Sequence, residues 1–95
     1  MRGDSLISPE VVARYAGDAA GEVEGVTRVV QGVRKGIRVD GDSIEIHIAL
    51  RFGAPIAEVG AAVQENVAAY LERMTDARPL AVNVVVDEVD VDVAS

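Results

Sequence analysis

The stretch Leu80-Ala-Val-Asn-Val-Val-Val-Asp-Glu-Val-Asp-Val-Asp-Val93 changes phase in its middle. Val82, Val84 and Val86 share one face of an extended chain. After Asp87-Glu88 the valines return as Val89, Val91 and Val93, one residue out of step. Strand side chains alternate between faces, so a one-residue slip sends the second set to the opposite face unless a bulge or bend intervenes. A single small sheet cannot bury both valine sets on the same side. Val89, Val91 and Val93 are therefore candidates for covering a partner chain.

The chain leading to this strand reads as one domain. At 95 residues it buries roughly 60–70% of its unfolded surface on folding. Aromatic residues are confined to Tyr15, Phe52 and Tyr70, so the core is built from Val, Ile, Leu and Ala. Ser8-Pro9-Glu10 starts a helix: a capping hydroxyl, a proline pre-set for the first turn, and an acid at the positive end of the dipole. Val12, Tyr15, Ala16, Ala19 and Val23 form its apolar stripe. Gly17, Gly21 and Gly25 mark close packing against the sheet and a helix end between Gly21 and Gly25.

Residues 31–36 read as a glycine- and charge-rich loop. Ile37-Arg-Val-Asp40, the turn Gly41-Asp42 and the run from Ser43 to Phe52 predict a hairpin. Ile44, Ile46, Ile48 and Leu50 lie on one face of it, and Glu45, His47, Ala49 and Arg51 on the other, as in a sheet covered on one side. Pro55 opens a second helix with the stripe Ile56, Val59, Val63, Val67, Tyr70, Leu71 and Met74, while Glu58, Glu65 and Glu72 lie opposite. The expected fold is α+β, a single domain over residues 1–95 in the order α-β-β-α-β. It has a three-stranded mixed sheet with two helices on one face, and residues 1–6 flexible before the first helix.

Little in this pattern suggests chemistry. Cysteine is absent, which removes disulfides and thiolate metal sites and fits a reducing compartment. The amino terminus lacks the apolar core of a signal peptide, and no apolar run reaches the ~18 residues of a membrane span. A cytoplasmic chain is expected, with any membrane association peripheral and supplied by a partner. The net charge of −7 disfavours nonspecific binding to nucleic acid or anionic lipid. The charge is uneven: Arg28, Arg34, Lys35 and Arg38 cluster in one segment and Asp87, Glu88, Asp90 and Asp92 in another. One chain's basic segment could attract another's acidic strand, but two ordinary solvated faces are the plainer reading, since exposed charge pairs contribute little.

His47 is the sole histidine, two residues from Glu45 on the polar face of its strand. Such a pair could serve acid–base chemistry. With no cysteine, no second histidine and an open sheet around them, the pair reads instead as solvated or interfacial. The acidic strand could suggest a hard-cation site, but Asp90 and Asp92 point the same way at a spacing that does not wrap one ion. Charged gatekeepers on an exposed strand fit better. The element order also invites comparison with KH-type single-stranded RNA-binding domains, which clamp the backbone with a Gly-x-x-Gly loop. The region Gly53-Ala-Pro-Ile-Ala-Glu-Val-Gly60 lacks that loop, leaving an RNA module using Arg28, Arg34, Lys35 and Arg38 as the alternative reading.

Longer matches carry a resemblance. Ile7-Ser-Pro-Glu-Val-Val-Ala-Arg-Tyr-Ala16 and Ala20-Gly-Glu-Val-Glu-Gly-Val26 resemble the opening of the alkaline shock protein family of envelope stress response proteins. So do the hairpin at Asp40-Gly-Asp42, Arg51-Phe-Gly53, Val63-Gln-Glu-Asn-Val67, Glu72-Arg-Met-Thr75 and Val82-Asn-Val-Val-Val-Asp87. Where family members usually carry Gly after the Met-Thr pair, this chain has Asp76, so its helix is expected to terminate differently. It also lacks the extended charged tail of some members, leaving the folded domain as the expected functional unit. The resemblance implies a non-enzymatic bacterial protein of cell-envelope homeostasis that needs no cofactor. It further implies self-association into a homo-oligomer and recruitment by a small membrane-anchored protein. It supplies no catalytic residues; the interface candidates are Val89, Val91, Val93, His47 and Glu45.

Overall fold

The computed structural model describes residues 8–91. Val93 and Asp92, and residues 1–6 with their expected flexibility, lie outside that range. The elements run α1 (Pro9–Gly21), β1 (Val26–Val29), β2 (Ile37–Asp40), β3 (Ser43–Arg51), α2 (Ile56–Thr75) and β4 (Ala81–Asp90). The helices, the hairpin and the last strand lie where periodicity and capping place them. The order is α-β-β-β-α-β, however, and the sheet has four strands rather than three. The extra strand, Val26–Val29, escapes a period-two search because it has four residues and its register shifts between Val26 and Arg28. Thr27 is the residue left over, so no alternation survives.

β3 organises the sheet. Along one edge it pairs with β4 in parallel, from Ser43↔Ala81 to Arg51↔Asp90. Its other edge is shared by two short antiparallel strands laid end to end, β1 against Ile48–Leu50 and β2 against Ser43–Ile46. The junction falls at His47, whose carbonyl accepts from the Val30 N–H (2.8 Å) and whose N–H donates to the Gly36 carbonyl (2.9 Å). Residues 31–35 thus leave the edge and return to it at a single residue of β3. The sheet is mixed, as expected, and its third ribbon is broken in two.

Both helices pack on the face carrying Ile44, Ile46, Ile48 and Leu50, each at most 2% exposed. α1 contributes Ala16, Ala19 and Ala20, and α2 contributes Val59, Val63, Val67, Ala68 and Leu71. Burying a Val, Leu or Ile side chain of this kind contributes about 1.5–3 kcal/mol. The helices are tied to each other by a T-shaped Tyr15–Tyr70 contact with centroids 5.9 Å apart, and by the Asn66 amide donating to the Ala19 carbonyl (2.7 Å). At the ends of α2 the apolar stripe runs past the sheet: Ile56 and Met74, assigned to the core by spacing, are exposed.

The valine slip is resolved inside β4. Ile48 pairs with Val86 and Ala49 with Glu88, which leaves Asp87 as an extra, bulged residue. Val89 therefore pairs with Leu50, in phase with Val82, Val84 and Val86, rather than turning to the other face. The bulge is the device that lets one small sheet keep these valines on one side. Burial fades along the strand all the same, from Val82 at 9% exposed to Val89 at 45% and Val91 at 65%.

The Ser8 hydroxyl caps α1 by accepting from the Val11 N–H (3.2 Å). α2 ends at Asp76, which adopts the left-handed conformation (φ 63°) and donates its N–H to the Glu72 carbonyl (2.9 Å). Contrary to expectation, aspartate here terminates the helix in the conformation a glycine would take. Asp76→Gly should therefore raise stability by about 0.5–1 kcal/mol in urea denaturation, because glycine takes this conformation without steric cost. Gly25 is the opposite case. Its φ is +100°, and a Cβ there would lie 2.9 Å from a Val59 methyl. Gly25→Ala should cost about 1–3 kcal/mol in the same assay, whereas Gly21→Ala, at a site with open space around it, should be neutral or stabilising.

Candidate functional site

The sheet face away from the helices was expected to be comparatively bare, its polar residues solvated or covered by a partner. It holds an ordered polar cluster instead, and His47, assigned to a solvated or interfacial position, is only 8% exposed within it. Both ring nitrogens are engaged: Nε2 lies 2.6 Å from a Glu45 carboxylate oxygen and Nδ1 lies 2.7 Å from one of Asp87. Glu45 shares the face because it stands two residues earlier on β3. Asp87 arrives from β4 because the bulge inserts it beside the His47–Val85 pair. Beyond Glu45, the Arg38 guanidinium of β2 stands 4.0 Å away.

Two carboxylates facing both ring nitrogens favour the charged ring. A neutral imidazole has one N–H, so one nitrogen would present a lone pair to a carboxylate; only the imidazolium donates to both. The Glu45 hydrogen bond first, then that of Asp87, hold the His47 pKa above its ordinary value, against burial, which pulls it down.

Two residues further along β3, Arg28, Ala49 and Glu88 lie abreast on β1, β3 and β4. Ala49 is fully buried and short, and Arg28 reaches across it to bond the Glu88 carboxylate and that of Asp90 (3.3 Å). The Thr27 hydroxyl bonds the same Asp90 (2.6 Å) and the Ala49 carbonyl (3.1 Å). Thr27 first, then Arg28, hold the Asp90 carboxyl below its ordinary range. Through Arg28 the basic segment thus meets the acidic strand within one chain, which neither two solvated faces nor a contact between chains had anticipated.

This arrangement bears on each chemical reading. Glu45 and Asp87 sit on opposite sides of the imidazole, so no single ion could meet all three, and among the described residues no group of three or more ligand-type side chains is placed to hold a metal. The Glu45 carboxylate lies within hydrogen-bond reach of the imidazole, the contact an acid–base reading needs. Three clefts among the described residues, however, are lined by other side chains. For RNA, Arg28 and Arg38 already face carboxylates, which leaves Arg34 and Lys35 exposed on the loop. Spacing found Glu45 and His47; it missed Asp87 as their partner, because that contact depends on the parallel register of β4 and its bulge.

Replacing His47 with leucine leaves two carboxylates facing an apolar side chain and should cost about 1–3 kcal/mol at pH 6. The sign with pH follows from the raised pKa. The stabilisation is fully present below the ordinary histidine value of about 6.5 and is lost as pH rises through the higher folded value. The gap between wild type and His47→Leu in thermal unfolding should therefore narrow from pH 6 to pH 9.

Comparison with known proteins agrees with this fold and adds a lineage. MamM CTD in a copper form superposes with a TM-score of 0.63 at 20% identity, covering 90% of this chain and 91% of that one. A variant of the same domain gives 0.53 at 22% identity, covering 90% and 98%. At such identities the likeness is one of fold. By sequence, the uncharacterized protein YqhY of Bacillus subtilis (strain 168) is 37% identical, covering 77% of this chain and 67% of that protein. The profile of the alkaline shock protein 23 family, described by its cell envelope-related function, matches residues 31–91. That span takes in the loop that rejoins the edge, the hairpin, α2 and the bulged strand, and on it this chain belongs to the alkaline shock protein family.

Proposed function

We propose that this chain is a non-enzymatic, self-associating protein-interaction module of the cell envelope, brought to the membrane by an anchored partner protein. The observation that carries this reading is the far end of β4. Val89 and Val91 are exposed there, and among the described residues β4 pairs with β3 alone, which leaves its outer edge open. An open edge with apolar side chains is a template for another chain. Phe52, 68% exposed, adds to the patch, since its N–H donates to the Asp90 carbonyl (2.9 Å) and so holds it beside the strand. Near the other end, the Gln64 amide donates to the Val82 carbonyl (3.0 Å), so helix α2 already occupies part of the edge. The open end is therefore the one that includes Val89 and Val91.

Among the described residues no helix is long and apolar enough to cross a membrane, and the family's described function is envelope-related. A separate anchored protein reconciles the two. Glu45 and His47, the other interface candidates, lie on the same side of the sheet as Asp87 and Glu88, and in this reading they support the strand rather than touch the partner.

Val91→Asp tests the interface without disturbing the contacts that hold β4. In sedimentation velocity from micromolar to millimolar concentration, the wild-type chain should shift to larger species, and the variant should remain monomeric with an unchanged circular dichroism spectrum. Identical sedimentation of the two would remove Val91 and its neighbours as the self-association surface.

A further inference from the structure

The second half of β4 is held differently from the first. Val82, Val84 and Val86 pack against the helix-covered core, whereas Val89 and Val91 are largely exposed. Beyond the bulge only three residue pairs tie the strand to β3: Ala49↔Glu88, Leu50↔Val89 and Arg51↔Asp90. With little apolar burial there, side-chain polar contacts carry more of the attachment. They are Asp87 to His47, Glu88 to Arg28, and Asp90 to Thr27 and Arg28.

We propose that the Glu45–His47–Asp87 cluster is a latch in which the charge on His47 sets how firmly the segment from Asp87 to Val91 is held to the sheet, so that alkaline conditions loosen the strand end that carries Val89 and Val91. This deepens the interface reading above by naming a regulator of that surface, and its assembly arm rests on that reading.

The geometry supplies the mechanism. With His47 charged, both nitrogens donate and the imidazolium joins β3 to β4 across the bulge. When it loses its proton, one nitrogen turns a lone pair toward a carboxylate less than 3 Å away. The charged groups facing the cluster are Glu45 on β3, Asp87 and Glu88 on β4, Arg38 on β2 and Arg28 on β1, with Arg34 and Lys35 on the exposed loop that rejoins the edge at His47. Arginine and lysine keep their charge as the pH rises through the histidine range, so His47 is the member of the set whose positive charge is lost. Its loss leaves Glu45, Asp87, Glu88 and Asp90 against Arg28 and Arg38, and carboxylates without a counter-charge repel. The bulge is the natural hinge, because its extra residue is already outside the regular ladder.

The chain has a single histidine, so its ring resonances report the latch without ambiguity. An NMR titration of the labelled wild-type chain from pH 6 to pH 9.5 should give a His47 midpoint above the ordinary value. The backbone amides of 87–91 should shift with that same midpoint. Their exchange, corrected for the intrinsic effect of pH, should rise at least tenfold, while the amides of Ile46 and Ile48 hold steady. Asp87→Asn, which keeps a hydrogen-bond acceptor but removes a charge, should lower both midpoints together. His47→Gln should abolish the pH dependence in 87–91. Amides of 87–91 that ignore the His47 midpoint, or a pH response that survives His47→Gln, would overturn the latch. If that variant does not fold, the Asp87→Asn midpoints decide. Sedimentation at pH 6.5 and pH 9 separates the two readings: a monomer at both values overturns the self-association reading and leaves the latch to be judged by exchange. Assembly that is equally strong at both values, while 87–91 loosen, would overturn the claim that the latch regulates the interface.

Discussion

One inserted residue sets the terms for this sheet. β4 must run beside β3 for its whole length, yet its valines change phase halfway. The bulge at Asp87 reconciles the two, and it does more than restore Val89 to register with Leu50. It places two acidic residues in succession on the uncovered face, where a regular strand would have sent them to opposite sides. Asp87 thereby reaches the imidazole of His47 and Glu88 reaches the guanidinium of Arg28. The same local irregularity keeps the core closed on one face and builds the polar cluster on the other.

β3 is the member on which these demands converge. Its even-numbered side chains fill the core, and its odd-numbered ones floor the cluster. His47 does more, since its backbone closes the broken edge on one side while its ring engages β4 on the other. A face left uncovered by helices usually trades its polar groups with water. Here Glu45, His47, Asp87, Arg28 and Asp90 satisfy one another, which accounts for a fully buried Ala49 on a face that no helix covers.

Much of this fold was legible in the residues. Ser8-Pro9 and Pro55 mark the helix starts, the step of three and four from Val59 to Leu71 marks the core face of α2, and Gly41-Asp42 marks the hairpin. β1 was not legible, because a four-residue strand with an irregular register leaves no period to detect, and its residues were assigned to no element. Asp76 was misread as a different stop, because composition shows only that glycine is missing, while an aspartate can adopt the same backbone angle. The site was half visible. Glu45 and His47 are two apart on one strand, which any alternation reveals, but Asp87 is forty residues away and meets them through a register that no local rule supplies. The ion pair of Arg28 with Glu88 was hidden for the same reason, and both residues read as members of solvated or intermolecular faces when they were each other's partner.

The edge formed by β1 and β2 has a consequence of its own. Residues 31–35 leave the sheet after Val30 and rejoin it at Gly36, and both ends are anchored to the one residue His47. The separation between those anchors is independent of what lies between them. Doubling the length of such an excursion costs only about 0.6 kcal/mol of closure entropy. The fold thus carries a port on its rim where sequence can lengthen, shorten or change charge over evolutionary time while the pairing on either side keeps its alignment. Relatives sharing this architecture can diversify at that rim without renegotiating the core.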